Sequence, residues 1–146
     1  MPPRNRLAAL KLIGRIKQHE LESIGAELSA LRAAQSDLDR QSADLSQHAA
    51  TEASQSNADT RPYLPGYLKS VDIKQRGLEE EREKLEEQAT LAEARLFTAF
   101  RETKTNETVL DRAVKEQSLE EARAEIATLD DAGRNLFLLK RAEGQT

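Results

Sequence analysis

"TEASQSNADTRPYLPGY", residues 51–67, is the stretch of this chain where helix-breaking residues gather: two Pro and a Gly among Ser, Asn, Asp and Thr. Each favours a turn for its own reason. Proline fixes φ, glycine permits positive φ, and Asn and Asp hydrogen-bond to their own backbone. On both sides the sequence is built from Ala, Glu, Leu, Arg, Lys and Gln, a composition of long helices and coiled coils. One interhelix connection is therefore predicted at about residues 54–64. Pro65 then falls in the first turn of the second helix, where its missing N–H costs little.

The periodicity on either side fixes how the two helices meet. Leu21, Ile24, Leu28, Leu31, Leu38 and Leu45 hold the two seam positions of a heptad, with Gln35, Ser42 and Ala49 filling the remainder. Upstream, Leu10, Ile13, Lys17 and Leu21 are spaced three, four and four, which reads as a stutter that relaxes the supercoil. Beyond the turn, Val71, Leu78, Leu85, Ala92, Ala99, Asn106 and Ala113 recur at sevens, and Ala89, Leu96, Thr103 and Leu110 hold the alternate positions. Gly14 and Gly25 weaken the first helix without ending it. No Pro follows Pro65, so nothing stops the second helix early. The expectation is an all-α chain: a single coiled-coil domain over residues 1–146, folded as a long two-helix antiparallel hairpin with helix 2 longer than helix 1. Helix 1 is expected over about residues 5–53 and helix 2 over about 65–141. Folding about residue 58 sets Leu45 opposite Val71, Leu38 opposite Leu78, Leu31 opposite Leu85 and Ile24 opposite Ala92. Helix 1 then runs out opposite about residue 110.

Helix 2 therefore overhangs. Its seam changes phase between Val114 and Ser118, and a new apolar stripe begins: Leu119, Ala122, Ile126, Leu129, Gly133, Leu136. The densest apolar run, Leu136, Phe137, Leu138 and Leu139, lies at the far end of that stripe. Fully burying one Leu or Ile is worth about 1.5–3 kcal/mol, so a stripe left in water has a large incentive to bind another molecule. Charge is uneven as well. The first 19 residues carry Arg4, Arg6, Lys11, Arg15 and Lys17 without an acid, and Arg134, Lys140 and Arg141 accompany the apolar run. The middle is acidic, most of all "LEEEREKLEE" at residues 78–87.

Composition excludes several classes. With 3% aromatic residues, an ordinary compact core is not expected. No apolar stretch reaches about 18 residues, the length a spanning helix needs. The first 19 residues lack the long apolar region of a secretory signal. The absence of cysteine fits a reducing cytosol. His19 and His48 lie 29 residues apart on one helix and cannot share a metal in one molecule. The Glu cluster at 79–87 is interleaved with Arg82 and Lys84, next to Arg76, which reads as helix-surface ion pairing. There is no G-x-x-x-x-G-K-[ST] loop and no nucleophile with a base, so a non-enzyme without cofactor, metal or small-molecule substrate is expected. Nucleic acid is not an expected partner, because the chain is acidic overall and its basic end lacks aromatics for stacking.

The stretches "AFRETKTNETVLDRA" and "EEARAEIATLDDAG", with their Lys, Glu and Arg spacing and Leu-Asp-acid-Ala end, resemble the FliJ family of bacterial flagellar export proteins and its injectisome relatives of the YscO type. The likeness covers most of the chain in pattern and residues 64–133 in residue texture. It implies a stalk of the type III export apparatus, similar to the shaft of a rotary ATPase. The implied partners are the hexameric flagellar export ATPase, the cytoplasmic domain of the export gate, and export chaperones. The implied location is cytoplasmic, peripheral to the inner membrane at the flagellar base. In that comparison the end with both termini enters the ring, which makes Leu119, Ile126, Leu129, Leu136, Phe137, Leu139, Arg134, Lys140, Arg141, Arg4 and Arg6 the ATPase-contact candidates. Tyr63, Tyr67 and Val71 become gate-contact candidates by their place near the turn. The chain departs from the enterobacterial pattern, in which helix 2 starts with a Trp; here the start reads "RPYLPGYLKSV". An injectisome stalk of the same type, a self-associating coiled-coil scaffold and a holdase-like chaperone are the alternatives.

Overall fold

The computed structural model describes residues 3–144, with side chains from residue 5 onward. Helix α1 spans Pro3–Gln55 and helix α2 spans Leu64–Glu143, joined by a turn and a short 3-10 helix, Arg61–Tyr63. The fold is all-α: an antiparallel two-helix hairpin whose second helix is the longer, at 80 residues against 53.

The sequence of the turn explains its closure. The Asn57 side-chain oxygen accepts the backbone N–H groups of Asp59 and Thr60, both at 3.0 Å, and the Thr60 hydroxyl accepts the Asn57 N–H at 3.0 Å. The Arg61 N–H donates to the Asn57 carbonyl at 2.9 Å. The hydroxyls of Ser54 and Ser56 donate to the carbonyls of Thr51 and Ala53 in the last turn of α1. Pro62 is the middle residue of the 3-10 helix, and Pro65 sits in the first turn of α2, where no N–H is required.

Two compact units divide the chain, His19–Phe100 and a unit made of Met1–Gln18 with Arg101–Thr146. In His19–Phe100 the two helices are cross-linked along their flanks. Arg82 meets Asp39 at 2.7 Å and Arg95 meets Glu27 at 3.1 Å. Gln75 donates to the Ser42 carbonyl at 2.9 Å. Ile24, Leu38, Ala49, Ala89, Ala92 and Ala99 are buried between them, with Leu21, Leu28, Leu31, Leu45, Val71, Leu78, Leu85 and Leu96 half-buried. The bonded pairs lie a few residues along from a fold about residue 58, within one heptad of it.

The most deeply buried polar side chain described in this seam is Gln35. Gln35 is 4% exposed, and both its amide oxygen and its amide nitrogen bond to charged groups at the flank. Its Oε1 accepts from Arg32 at 2.8 Å and its Nε2 donates to Glu86 at 2.6 Å; Arg32 also pairs with Glu86 at 2.8 Å and with Glu93. A buried amide served this way opposes slippage, because a shift of register would strand it. The bond from Gln35, and then that from Arg32, hold the Glu86 carboxyl below the usual carboxylate range. A carboxylate whose pKa is depressed by folding stabilises the fold at neutral pH and loses that contribution as pH falls through its lowered value. Glu86→Gln should therefore flatten the acid side of the stability profile, below about pH 4.5, relative to the parent chain. Parallel profiles in thermal melts across that range would mean that the network carries no pH-linked stability.

In the other unit, Lys17 meets Glu102 at 2.7 Å and the Asn106 amide donates to the Leu10 carbonyl at 3.3 Å. The expected stutter in α1 is absent. Leu7, Leu10, Gly14, Lys17, Leu21 and Ile24 turn inward at unbroken three- and four-residue steps, while Ile13 lies out at 42% exposure. Gly14 holds the seam position because a Cβ there would lie 3.0 Å from the Asn106 Nδ2. Gly25, by contrast, has open space around it. Gly25→Ala should raise stability by about 0.5–1 kcal/mol through helix propensity alone. Gly14→Ala should gain less or lose, since the Asn106 amide must swing from the Leu10 carbonyl, at a cost of about 1 kcal/mol. Chemical denaturation of both variants checks this; equal gains would show that the Gly14–Asn106 approach is not specific.

Candidate partner-binding surface

In the unit that holds both ends, the paired seam of α2 runs through Thr103, Asn106, Leu110 and Ala113 to Gln117. That is farther than the expected limit at about residue 110, because the register sits a few residues along and α1 starts at Pro3. Past Gln117 the helix continues, and every residue from Ser118 to Gly144 is exposed. Lys140 and Arg141 occupy its last turn, where positive charge suits the helix dipole, and the Gly144 N–H closes onto the Lys140 carbonyl at 3.0 Å.

The expected stripe lies wholly on this exposed segment. Leu119 is 56% exposed, Ile126 58%, Leu129 64%, Leu136 61%, Phe137 64% and Leu139 61%, against 4% for Ile24 in the seam. Carried past Gln117 in heptad steps, the paired seam lands on Glu120, Ala124, Ala127 and Asp131. The apolar stripe lies one or two residues earlier. At 3.6 residues per turn it therefore faces a different side of α2 from the side that α1 covers. Arg134, Lys140 and Arg141 are exposed along the same segment, and Arg6 is exposed on α1; the Arg4 side chain lies outside those described.

The residues near the turn are of two kinds. Tyr63 is 77% exposed, whereas Tyr67 and Val71 are half-buried along the inner face of α2. The Tyr67 hydroxyl is buried without a hydrogen-bond partner. An unpaired buried hydroxyl costs free energy, so Tyr67→Phe should leave stability unchanged or raise it by about 1 kcal/mol. A loss of stability in a thermal melt would show that the hydroxyl has a partner, such as a bound water.

Among the described residues no group of three or more His, Cys, Asp or Glu is placed to hold a metal ion, and no helix is long and apolar enough to cross a membrane. A groove beside the seam is lined by Leu38, Asp39, Ser42, Gln75, Leu78 and Arg82, and there the Ser42 hydroxyl donates to the Gln75 side chain. Fold and surface together define an antiparallel coiled-coil hairpin with an unpartnered apolar helix face. In comparisons with known proteins no family model matches the chain, and no curated protein or solved structure matches it.

Proposed function

We propose that this chain is a stalk of the flagellar type III export apparatus, a non-enzyme that binds the hexameric export ATPase and the export gate and couples ATP hydrolysis to export. The observation that carries this reading is the exposed apolar face of α2 beyond Gln117, with Leu119, Ile126, Leu129, Leu136, Phe137 and Leu139 each more than half exposed. The likeness of residues 64–133 to the FliJ family supplies the identity of the partner. A ring that closes on such a face gains apolar burial, and Arg134, Lys140, Arg141 and Arg6 add attraction to acidic groups at its entry. The mechanism is mechanical: an asymmetric helix pair in a symmetric ring biases which ATP sites close. The exposed ring of Tyr63, beside Tyr67 and Val71, is the surface offered to the gate, and association with the ATPase places the protein at the cytoplasmic face of the flagellar base.

Co-sedimentation with the purified export ATPase hexamer tests the reading. Binding at one chain per ring, weakened by salt, is the expected result. A chain that self-associates tightly and shows no affinity for the ring would instead be a scaffold.

A further inference from the structure

The stripe beyond Gln117 carries a charge pattern that selects an occupant. Written as a heptad, its seam positions are Leu119, Ala122, Ile126, Leu129, Gly133 and Leu136. Arg123 and Asp130 flank this seam on one side and Glu125 on the other. Arg123, Glu125 and Asp130 are all exposed, and no ion pair within the chain engages them among the described residues.

We infer that residues 119–136 of α2 pair antiparallel with the same residues of a second copy of this chain. Place the two-fold axis between Ala127 and Thr128. Leu119 then meets the partner's Leu136, Ala122 meets the partner's Gly133, and Ile126 meets the partner's Leu129. Each layer recurs by symmetry, so large residues meet large and small meet small along the whole seam. The Ala122 and Gly133 layers let the backbones draw close, as Ala89 and Ala92 do in the hairpin, where both are almost fully buried.

Charge selects direction and register together. In this arrangement Arg123 lies across from the partner's Asp130, and the same pair forms again on the other side of the axis. A parallel pairing sets Glu125 against the partner's Asp130, twice, which is repulsive. Sliding the antiparallel pair by one heptad toward the far end of α2 sets Asp130 against the partner's Asp130. Only the two-fold between Ala127 and Thr128 turns the flanking charges into attractions. The interface is isologous, so it closes at two copies and does not propagate. It covers Leu119, Ile126, Leu129 and Leu136 of both copies, each between 56% and 64% exposed in the single chain. The same residues form the face offered to the ATPase, so the two occupants exclude each other. The inference does not depend on the ATPase reading, and its test uses the purified chain alone.

The chain has no cysteine, so introduced ones report cleanly. Ala122→Cys and Gly133→Cys lie at exposed positions of α2 past the paired seam, so the hairpin fold should be left untouched. Mixed and oxidised, these two variants should yield a cross-linked heterodimer, while each alone stays uncross-linked. Sedimentation of the parent chain should show mass rising to that of two copies with concentration. Arg123→Glu should weaken self-association by about tenfold, through repulsion of the partner's Asp130 at two sites. Arg123→Glu combined with Asp130→Arg should restore it. Single mass at every concentration, cross-linking of either variant with itself, or a double exchange that fails to restore association each overturns the proposal.

Discussion

On the proposed stalk reading, a chain lacking residues 119–146 should bind and stimulate the export ATPase at least a hundredfold less well, while the hairpin melts within a few degrees of the full chain. The two halves of this expectation have separate causes. Stability is preserved because the paired seam ends at Gln117 and every residue from Ser118 to Gly144 is exposed, so among the described residues the deletion removes no buried side chain. Binding falls because the deletion removes Leu119, Ile126, Leu129, Leu136, Phe137 and Leu139. At about 1.5–3 kcal/mol for each fully buried side chain, even two of the six are worth about 3 kcal/mol, or roughly a hundredfold in affinity. Removing Arg134, Lys140 and Arg141 should also reduce the salt dependence of whatever binding remains. The melt is best compared at concentrations where the full chain is a single copy, since self-pairing would add to its apparent stability. Full stimulation by a well-folded truncation would refute the stripe as the ATPase contact. A collapse in melting temperature would place these residues in the protein's own core.

Much of this fold is legible in the sequence, and the reason lies in the heptad. Leu21, Ile24, Leu28, Leu31, Gln35, Leu38, Ser42, Leu45 and Ala49 all turn inward, as do Val71, Leu78, Leu85, Ala89, Ala92, Leu96, Ala99, Thr103, Asn106, Leu110 and Ala113. Periodicity works here because each helix has a single neighbour within the hairpin and buries a single stripe. It fails at Gly14. Hydropathy selects Ile13 as the seam residue, yet the seam passes through a residue with no side chain, and the space goes to Asn106 on the facing helix. That choice belongs to a pair of residues 92 apart in sequence and is invisible in either one. The register shift has a similar origin. Heptads repeat, so they cannot say which repeat faces which; the Asn57 turn and the 3-10 helix decide it. The stripe past Gln117 is also readable as apolar, but its partner is not. Apolar faces specify little about what covers them, and the flanking charges of Arg123 and Asp130 carry what direction there is.

Two substitutions at neighbouring positions should separate seam from surface more sharply than any truncation. Ala92 is 1% exposed and Leu91 is 66% exposed. Ala92→Asp places a carboxylate in the seam between α1 and α2, at a position that is almost fully buried. An uncompensated buried charge costs about 3 kcal/mol or more, and the aspartate can avoid it only by taking up a proton or by driving the helices apart. Leu91→Asp, one residue earlier, turns its side chain to water and should change stability by about 0.5 kcal/mol at most. Thermal melting should thus drop by about 10 °C for the first variant and scarcely move for the second. Arg32 does not rescue the buried charge, because it is already held by Glu86, Glu93 and Gln35. The acid limb supplies a further check. If protonation is the escape, Ala92→Asp should recover part of its lost stability as pH falls toward the carboxylate range, opposite in sign to the loss expected from Glu86. Equal destabilisation by the two variants would mean that Leu91 also faces a neighbour, and that the single-stripe reading of α2 fails in the His19–Phe100 unit.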